Sequence, residues 1–155
     1  MNLKHSVSRI PKGSSGRVIF LDGRGELPML EIITRWSTAE IYLLGAHVTH
    51  FKRNDEPPLL FLSQCSRFQN GQPIRGGIPI ILPWFGAREG LGQHGFVRNQ
   101  PWQLKEVLPA SDGSVSVKFR YPEYPESAMY PPFTAEYVVT VNENLTLELS
   151  VTNKS

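Results

Sequence analysis

The sequence predicts an all-β fold, an antiparallel sandwich. Three observations carry that expectation: short runs rich in β-branched and aromatic residues recur along the chain, turn residues separate them, and no stretch of ten or more residues holds a helical period.

In chain order, residues 1–16 hold Pro11, Gly13, Ser14, Ser15 and Gly16 among polar neighbours, and are expected to form a flexible arm, with residues 17–155 as the domain proper. The first β-compatible runs are RVIFL, MLEIITR, WSTAEIYLL and AHVTHF, within residues 17–51. Gly45, between two such runs, predicts a bulge or a tight bend there. Residues 59–62 follow a polar loop. A proline-punctuated block (73–84) and a glycine-rich loop (86–95) come next and make the middle third the least regular part. Strand patterns return in WQLKEVL, SVSVKFRY, FTAEYVVTV and LTLELSVTN, with ASDGS and NEN as the turns. Val115, Val117 and Phe119 alternate with Ser116, Lys118 and Arg120, as a strand with one buried and one wet face requires. The last run has no closing element after it, which reads as a sheet cut short.

Composition narrows the function classes. At 155 residues, 40% of them hydrophobic, one domain with a real core is expected. Sixteen basic and fourteen acidic residues are interspersed, with no Lys/Arg run to follow a phosphodiester backbone, so nucleic acid is not an expected partner. No apolar run approaches the roughly 20 residues of a spanning helix, so no membrane is expected either. Cys65 is the single cysteine and no signal-peptide pattern opens the chain, which points to a soluble protein in the reducing cytoplasm. P-loop, dinucleotide and nucleophile-elbow patterns are all missing.

The chemistry concentrates in PIRGGIPIILPWFG and GQHGFVRNQPW. Paired glycines let backbone approach a ligand, and Pro79 and Pro83 stiffen the flanks. Arg75 and Arg98 can each present a planar donor fork to an oxyanion; the plain alternative is a carboxylate partner or packing of the stem. His94, between Gln93 and Gly95, can exchange a proton near neutrality or serve as an ordinary hydrogen-bonded loop residue. Trp84 and Phe85 can stack on a sugar face or belong to the core. His47 and His50, three apart on a probable strand, fall on opposite faces, so they read as structural rather than as a metal pair; His5 belongs to the arm.

Those two motifs, with LLGAHVTHFK and LLFLS before them and LTLELSVTNKS after, resemble the signature of the hexose-6-phosphate mutarotases, or glucose-6-phosphate 1-epimerases, of the aldose 1-epimerase (galactose mutarotase-like) superfamily. The resemblance implies a β-sandwich roughly twice this length, of which this chain would be the N-terminal half. It implies an isomerase that needs no cofactor and acts on a hexose 6-phosphate, with Arg75, Gln93, His94 and Arg98 as substrate-binding residues. The family's acid histidine and base glutamate lie in later motifs, so His94 is expected to assist by polarising substrate hydroxyls, not to complete a catalytic pair. A non-catalytic sugar-phosphate-binding module or inactive fragment is the alternative. An uncovered half-sandwich is further expected to self-associate or to need its C-terminal half.

Overall fold

The computed structural model describes residues 16–155; the expected arm, His5 included, lies outside the described residues apart from Gly16, which is buried. Ten strands form. The first sheet joins β1 (Arg17–Asp22), β2 (Pro28–Ile33), β3 (Ser37–Tyr42) and β4 (His47–Arg53) in sequence order, every neighbour antiparallel. A small hairpin, β5 (Ala87–Arg88) with β6 (Gly92–Gln93), stands alone. The second sheet joins β7 (Gln103–Pro109), β8 (Val115–Arg120), β9 (Phe133–Val141) and β10 (Leu145–Asn153), again antiparallel and in order. Short 3-10 turns at Arg24–Glu26, Val97–Asn99 and Pro125–Met129 are the helical elements among the described residues.

Alternation decides how the sheets meet. In β8, Val115, Val117 and Phe119 are fully buried, and Ser116 and Lys118 look outward; in β9, Ala135, Tyr137, Val139 and Val141 face the same core. They pack with Leu30, Ile32, Ala39, Ile41, Val48 and Phe51 of the first sheet. Each Val, Leu, Ile or Phe side chain among them contributes about 1.5–3 kcal/mol on leaving water. The result is an antiparallel β-sandwich.

The turns follow side-chain chemistry. Between β7 and β8, Asp112 Oδ1 accepts from the Ser114 amide at 2.9 Å and the Ser114 hydroxyl at 2.6 Å. Between β9 and β10, Asn142 Oδ1 accepts from the Asn144 amide at 2.7 Å, and the Ser37 hydroxyl donates to the Asn142 carbonyl, tying the two sheets together. Gly45 adopts φ 72° in the turn from β3 to β4, while the bulge falls in the β3–β4 pairing itself, between Glu40 and Ile41.

The sandwich is unevenly closed. β10 is an edge strand whose residues are mostly exposed, with Leu149 and Val151 at 44% and 47%. Substitution should divide along that line. Ile41→Ala is expected to lower unfolding free energy by about 2–5 kcal/mol through lost burial and a residual cavity, and Val151→Thr to change it by less than about 0.5 kcal/mol. Equilibrium urea unfolding of the two variants checks this.

Candidate functional site

The RGG turn is built by backbone pairing on both sides. Toward residues 61–63, Gly77 N–H donates to the Phe61 carbonyl at 2.7 Å and Ser63 N–H to the Arg75 carbonyl at 3.0 Å. Toward β4, Ile78 N–H donates to the Val48 carbonyl at 2.9 Å. The Arg75 amide is held by the Ser66 hydroxyl at 2.8 Å. So tight a layer leaves no space for side chains: Gly76 has φ 101° and a Cβ there would lie 2.5 Å from the Phe61 oxygen, and Gly77 has φ 61° with the Val48 carbonyl against it. Only glycine meets both demands. Arg75 is thereby fixed in backbone and left exposed in side chain.

Arg98 reaches the same region from the Val97–Asn99 turn. That turn is clamped by Trp102, whose indole N–H donates to the Val97 carbonyl at 2.9 Å, and by Gly45, where a Cβ would meet the Arg98 carbonyl. Arg98 as a residue is 8% exposed; Nη2 donates to the Gln93 carbonyl at 3.3 Å, and the buried Nε has no hydrogen-bond partner among the described residues. Burial, and then the charge of Arg75, hold its pKa below the ordinary arginine value. Among the described residues neither arginine forms an ion pair with a carboxylate. Two guanidiniums that sense each other, one buried and incompletely satisfied, leave positive charge that an incoming oxyanion can neutralise.

His94 follows the β5–β6 hairpin at φ 61°. Its amide donates to the Gly86 carbonyl at 2.8 Å, and its Nδ1 accepts from the Gly86 N–H at 3.0 Å. A backbone N–H can only donate, so in the neutral ring the proton sits on Nε2, which remains a donor for a ligand oxygen. The Phe85 ring packs 4.8 Å from the imidazole and is otherwise 83% exposed. Trp84 instead joins an aromatic cluster with Phe96 and Tyr130, centroids 5.9 Å and 5.8 Å away. The Arg98 bond to the Gln93 carbonyl links the hairpin to the arginine pair; the Gln93 residue itself is exposed.

Residues outside the two motifs shape the site as well. Ser66 and residues 61–63 support the RGG turn, and Arg88 lies 5.5 Å over the Trp84 ring with a 3.4 Å bond to the Tyr130 hydroxyl. The histidines of β4 separate: His47 Nε2 lies 2.6 Å from the Gly76 carbonyl, and His50 Nε2 lies 3.2 Å from the Thr38 hydroxyl. No group of three or more His, Cys, Asp or Glu suited to a metal ion occurs among the described residues, and none of their helices is long and apolar enough to cross a membrane. A cavity of about 610 Å³, lined in part by Arg120, Tyr121, Tyr124, Tyr130 and Phe133, lies at the end of the second sheet and includes none of Arg75, Gln93, His94 or Arg98.

The sequence profile of the aldose 1-epimerase family matches residues 28–155, which include every strand except β1 and both site motifs. The chain belongs to the aldose 1-epimerase family. Among curated relatives, an Escherichia coli (strain K12) protein named "putative glucose-6-phosphate 1-epimerase" is 38% identical over 109 residues, 69% of this chain and 37% of that protein. A Cenchrus ciliaris protein of the same name is 45% identical over 80 residues, 52% of this chain and 24% of its own length. The crystal structure of the mutarotase-titled protein YeaD from Salmonella typhimurium superposes with a TM-score of 0.77 at 30% identity, over 88% of this chain and 46% of that one. Slr1438 from Synechocystis, 20% identical with a TM-score of 0.62, shares the fold. This family member thus spans less than half the length of each of these first two relatives and of YeaD.

Two outcomes follow from the geometry. Gly77→Ala should displace the RGG turn and lower stability by about 1–3 kcal/mol, since it meets positive φ and the Val48 carbonyl together; thermal unfolding and the Arg75 amide resonance report it. His47 is buried, and its pKa is lowered from 6.5 by burial first and Arg98 next, against the opposing pull of the Gly76 carbonyl. The unfolded chain then binds the extra proton more readily, so this contribution to stability is complete above about pH 6.5 and is lost as pH falls through the folded-state value. Urea midpoints of wild type and His47→Gln from pH 7.5 to 5 should show the wild type losing more.

Proposed function

We propose that this chain carries the sugar-phosphate-binding part of an enzyme that interconverts the α and β anomers of a hexose 6-phosphate. The observation that supports this most is the buried Arg98 within the influence of Arg75, with no carboxylate paired to either among the described residues. A phosphate dianion meets the need of both: guanidinium forks bind its oxygens in pairs, each charge-assisted bond being worth about 1.5–3 kcal/mol. Names borne by the relatives agree with that chemistry.

Anomer exchange opens and recloses the sugar ring with the help of proton transfers. A base takes the proton from the anomeric hydroxyl, an acid protonates the ring oxygen, and the C1–O5 bond breaks to give the open-chain aldehyde. Rotation about C1–C2 and the reverse proton transfers close the ring as the other anomer. In this reading Arg75 and Arg98 hold the phosphate, while Gln93 and the His94 Nε2–H contact the sugar hydroxyls. The part of this chain, on that reading, is to bind substrate, with His94 as an assisting proton donor.

The second reading, a sugar-phosphate-binding module without catalysis, draws on the same arginine pair, and one experiment separates the two. Conversion of freshly dissolved α-glucose 6-phosphate is followed by NMR against the spontaneous rate, with wild type, an Arg75→Ala/Arg98→Ala double variant and a glucose control. Acceleration lost in the double variant establishes the enzyme. Binding without acceleration, weakened about 10- to 100-fold by the double substitution, establishes the module. If neither is seen, both readings fall.

We further propose that the open β10 edge, with Leu149 and Val151 of that strand exposed, is covered by a second copy of the chain. Sedimentation velocity should then show mass rising with concentration. A monomer at all concentrations, with an unchanging melting temperature, counts against it.

A further inference from the structure

His47 opens β4 at 1% exposure, and the turn it touches is the one that carries Arg75. The Gly76 carbonyl, 2.6 Å from Nε2, can only accept, so the imidazole proton lies on Nε2 and Nδ1 is left as a bare lone pair, buried and without a partner. Among the described residues the charged group that acts on the ring is Arg98, itself under the influence of Arg75, and no carboxylate there opposes them. A neutral donor suits such a place: lysine or a charged imidazole would add a third cation to an uncompensated pair.

The Gly76 peptide needs such a donor. Two consecutive glycines have wide backbone freedom, and a partly buried carbonyl left unsatisfied, as that of Gly76 would be, destabilises its conformation. The amides of Gly77 and Ile78 are used toward residue 61 and toward Val48, and among the described contacts the Gly76 carbonyl is met by His47. No side chain could substitute from Gly77, because a Cβ there would lie 3.0 Å from His47 Nε2.

We infer that His47 is a positioning residue of the oxyanion site: its Nε2–H holds the Gly76 carbonyl and thereby sets the direction from which Arg75 meets a ligand beside Arg98. The inference deepens the sugar-phosphate reading and rests on it. His47 touches the turn, not the ligand, so the signature sought is loss of anion affinity that a neutral donor restores.

The test uses the full chain with inorganic phosphate and, as a dianion that does not titrate near neutrality, sulfate. His47→Leu fills comparable volume without a donor, and His47→Gln offers an amide N–H at similar reach. Titration by NMR should show His47→Leu binding both anions at least about tenfold more weakly than wild type, and His47→Gln within about threefold. Hydrogen exchange at the Gly77 amide should rise in His47→Leu and remain near wild type in His47→Gln. A folded His47→Leu with wild-type anion affinity overturns the inference. So does a wild-type imidazole ¹⁵N spectrum that places the proton on Nδ1, a measurement that decides the matter even where His47→Leu does not fold. If wild type binds neither anion while Gly77 exchange still rises in His47→Leu, the oxyanion reading is what has failed, and the role given to His47 falls with it.

Discussion

The close approach of residues 76–78 to the start of β4 is the constraint on which the site depends. Backbone there is laid between Val48 on one side and Phe61 on the other, near enough that a single Cβ at either glycine would collide with a carbonyl. Packing of that density converts a loop into something close to an irregular strand, with hydrogen bonds on both edges. Arg75 inherits rigidity at its backbone from this layer while its guanidinium stays free. Loops on rigid scaffolds commonly carry function for that reason.

Arg98 is held by different means. Its turn is fixed from inside, by the Trp102 indole and by the Gly45 turn, both continuous with the main core. The consequence is electrostatic as much as steric. A guanidinium can be buried beside another cation only if core packing elsewhere offsets the cost, because its own surroundings do not. Folding energy from the sandwich is in this sense stored as unneutralised charge at one point of its surface.

The strands were legible in the sequence because their periodicity is local: in β8 and β9 each alternate residue announces its face, and Asp112 and Asn142 announce the turns between. The motifs of the site were legible too, since glycine pairs and arginines stand out against strand composition. Their supports were not. His47 and Gly76 are 29 residues apart, and nothing in the β4 run distinguishes a histidine that pins a distant carbonyl from one that, like His50, meets a neighbouring hydroxyl. Trp84 and Phe85 show the same limit. Adjacent in sequence and alike in chemistry, they diverge into an aromatic cluster and an exposed ring beside His94, a choice set by Phe96 and Tyr130 rather than by either residue.

The two halves of the candidate site therefore differ in what they can tolerate. Arg75 is held through its backbone by Ser63 and Ser66, and the Arg98 turn is held by the Trp102 indole, whereas the β5–β6 hairpin is joined to its surroundings by side-chain contacts, the Arg98 bond to the Gln93 carbonyl and Arg88 against Trp84 and Tyr130. Gly86, Gly90 and Gly92 all have positive φ there with open space around them, so conformation rather than crowding requires glycine at those positions. A ligand anchored by its anionic end on the rigid side would meet an adaptable surface at its other end. On the proposed reading such a division would suit a polyhydroxyl ring joined to a phosphate: charge would fix the pose, and the hairpin, with the His94 ring oriented by the Gly86 amide, would meet the hydroxyls.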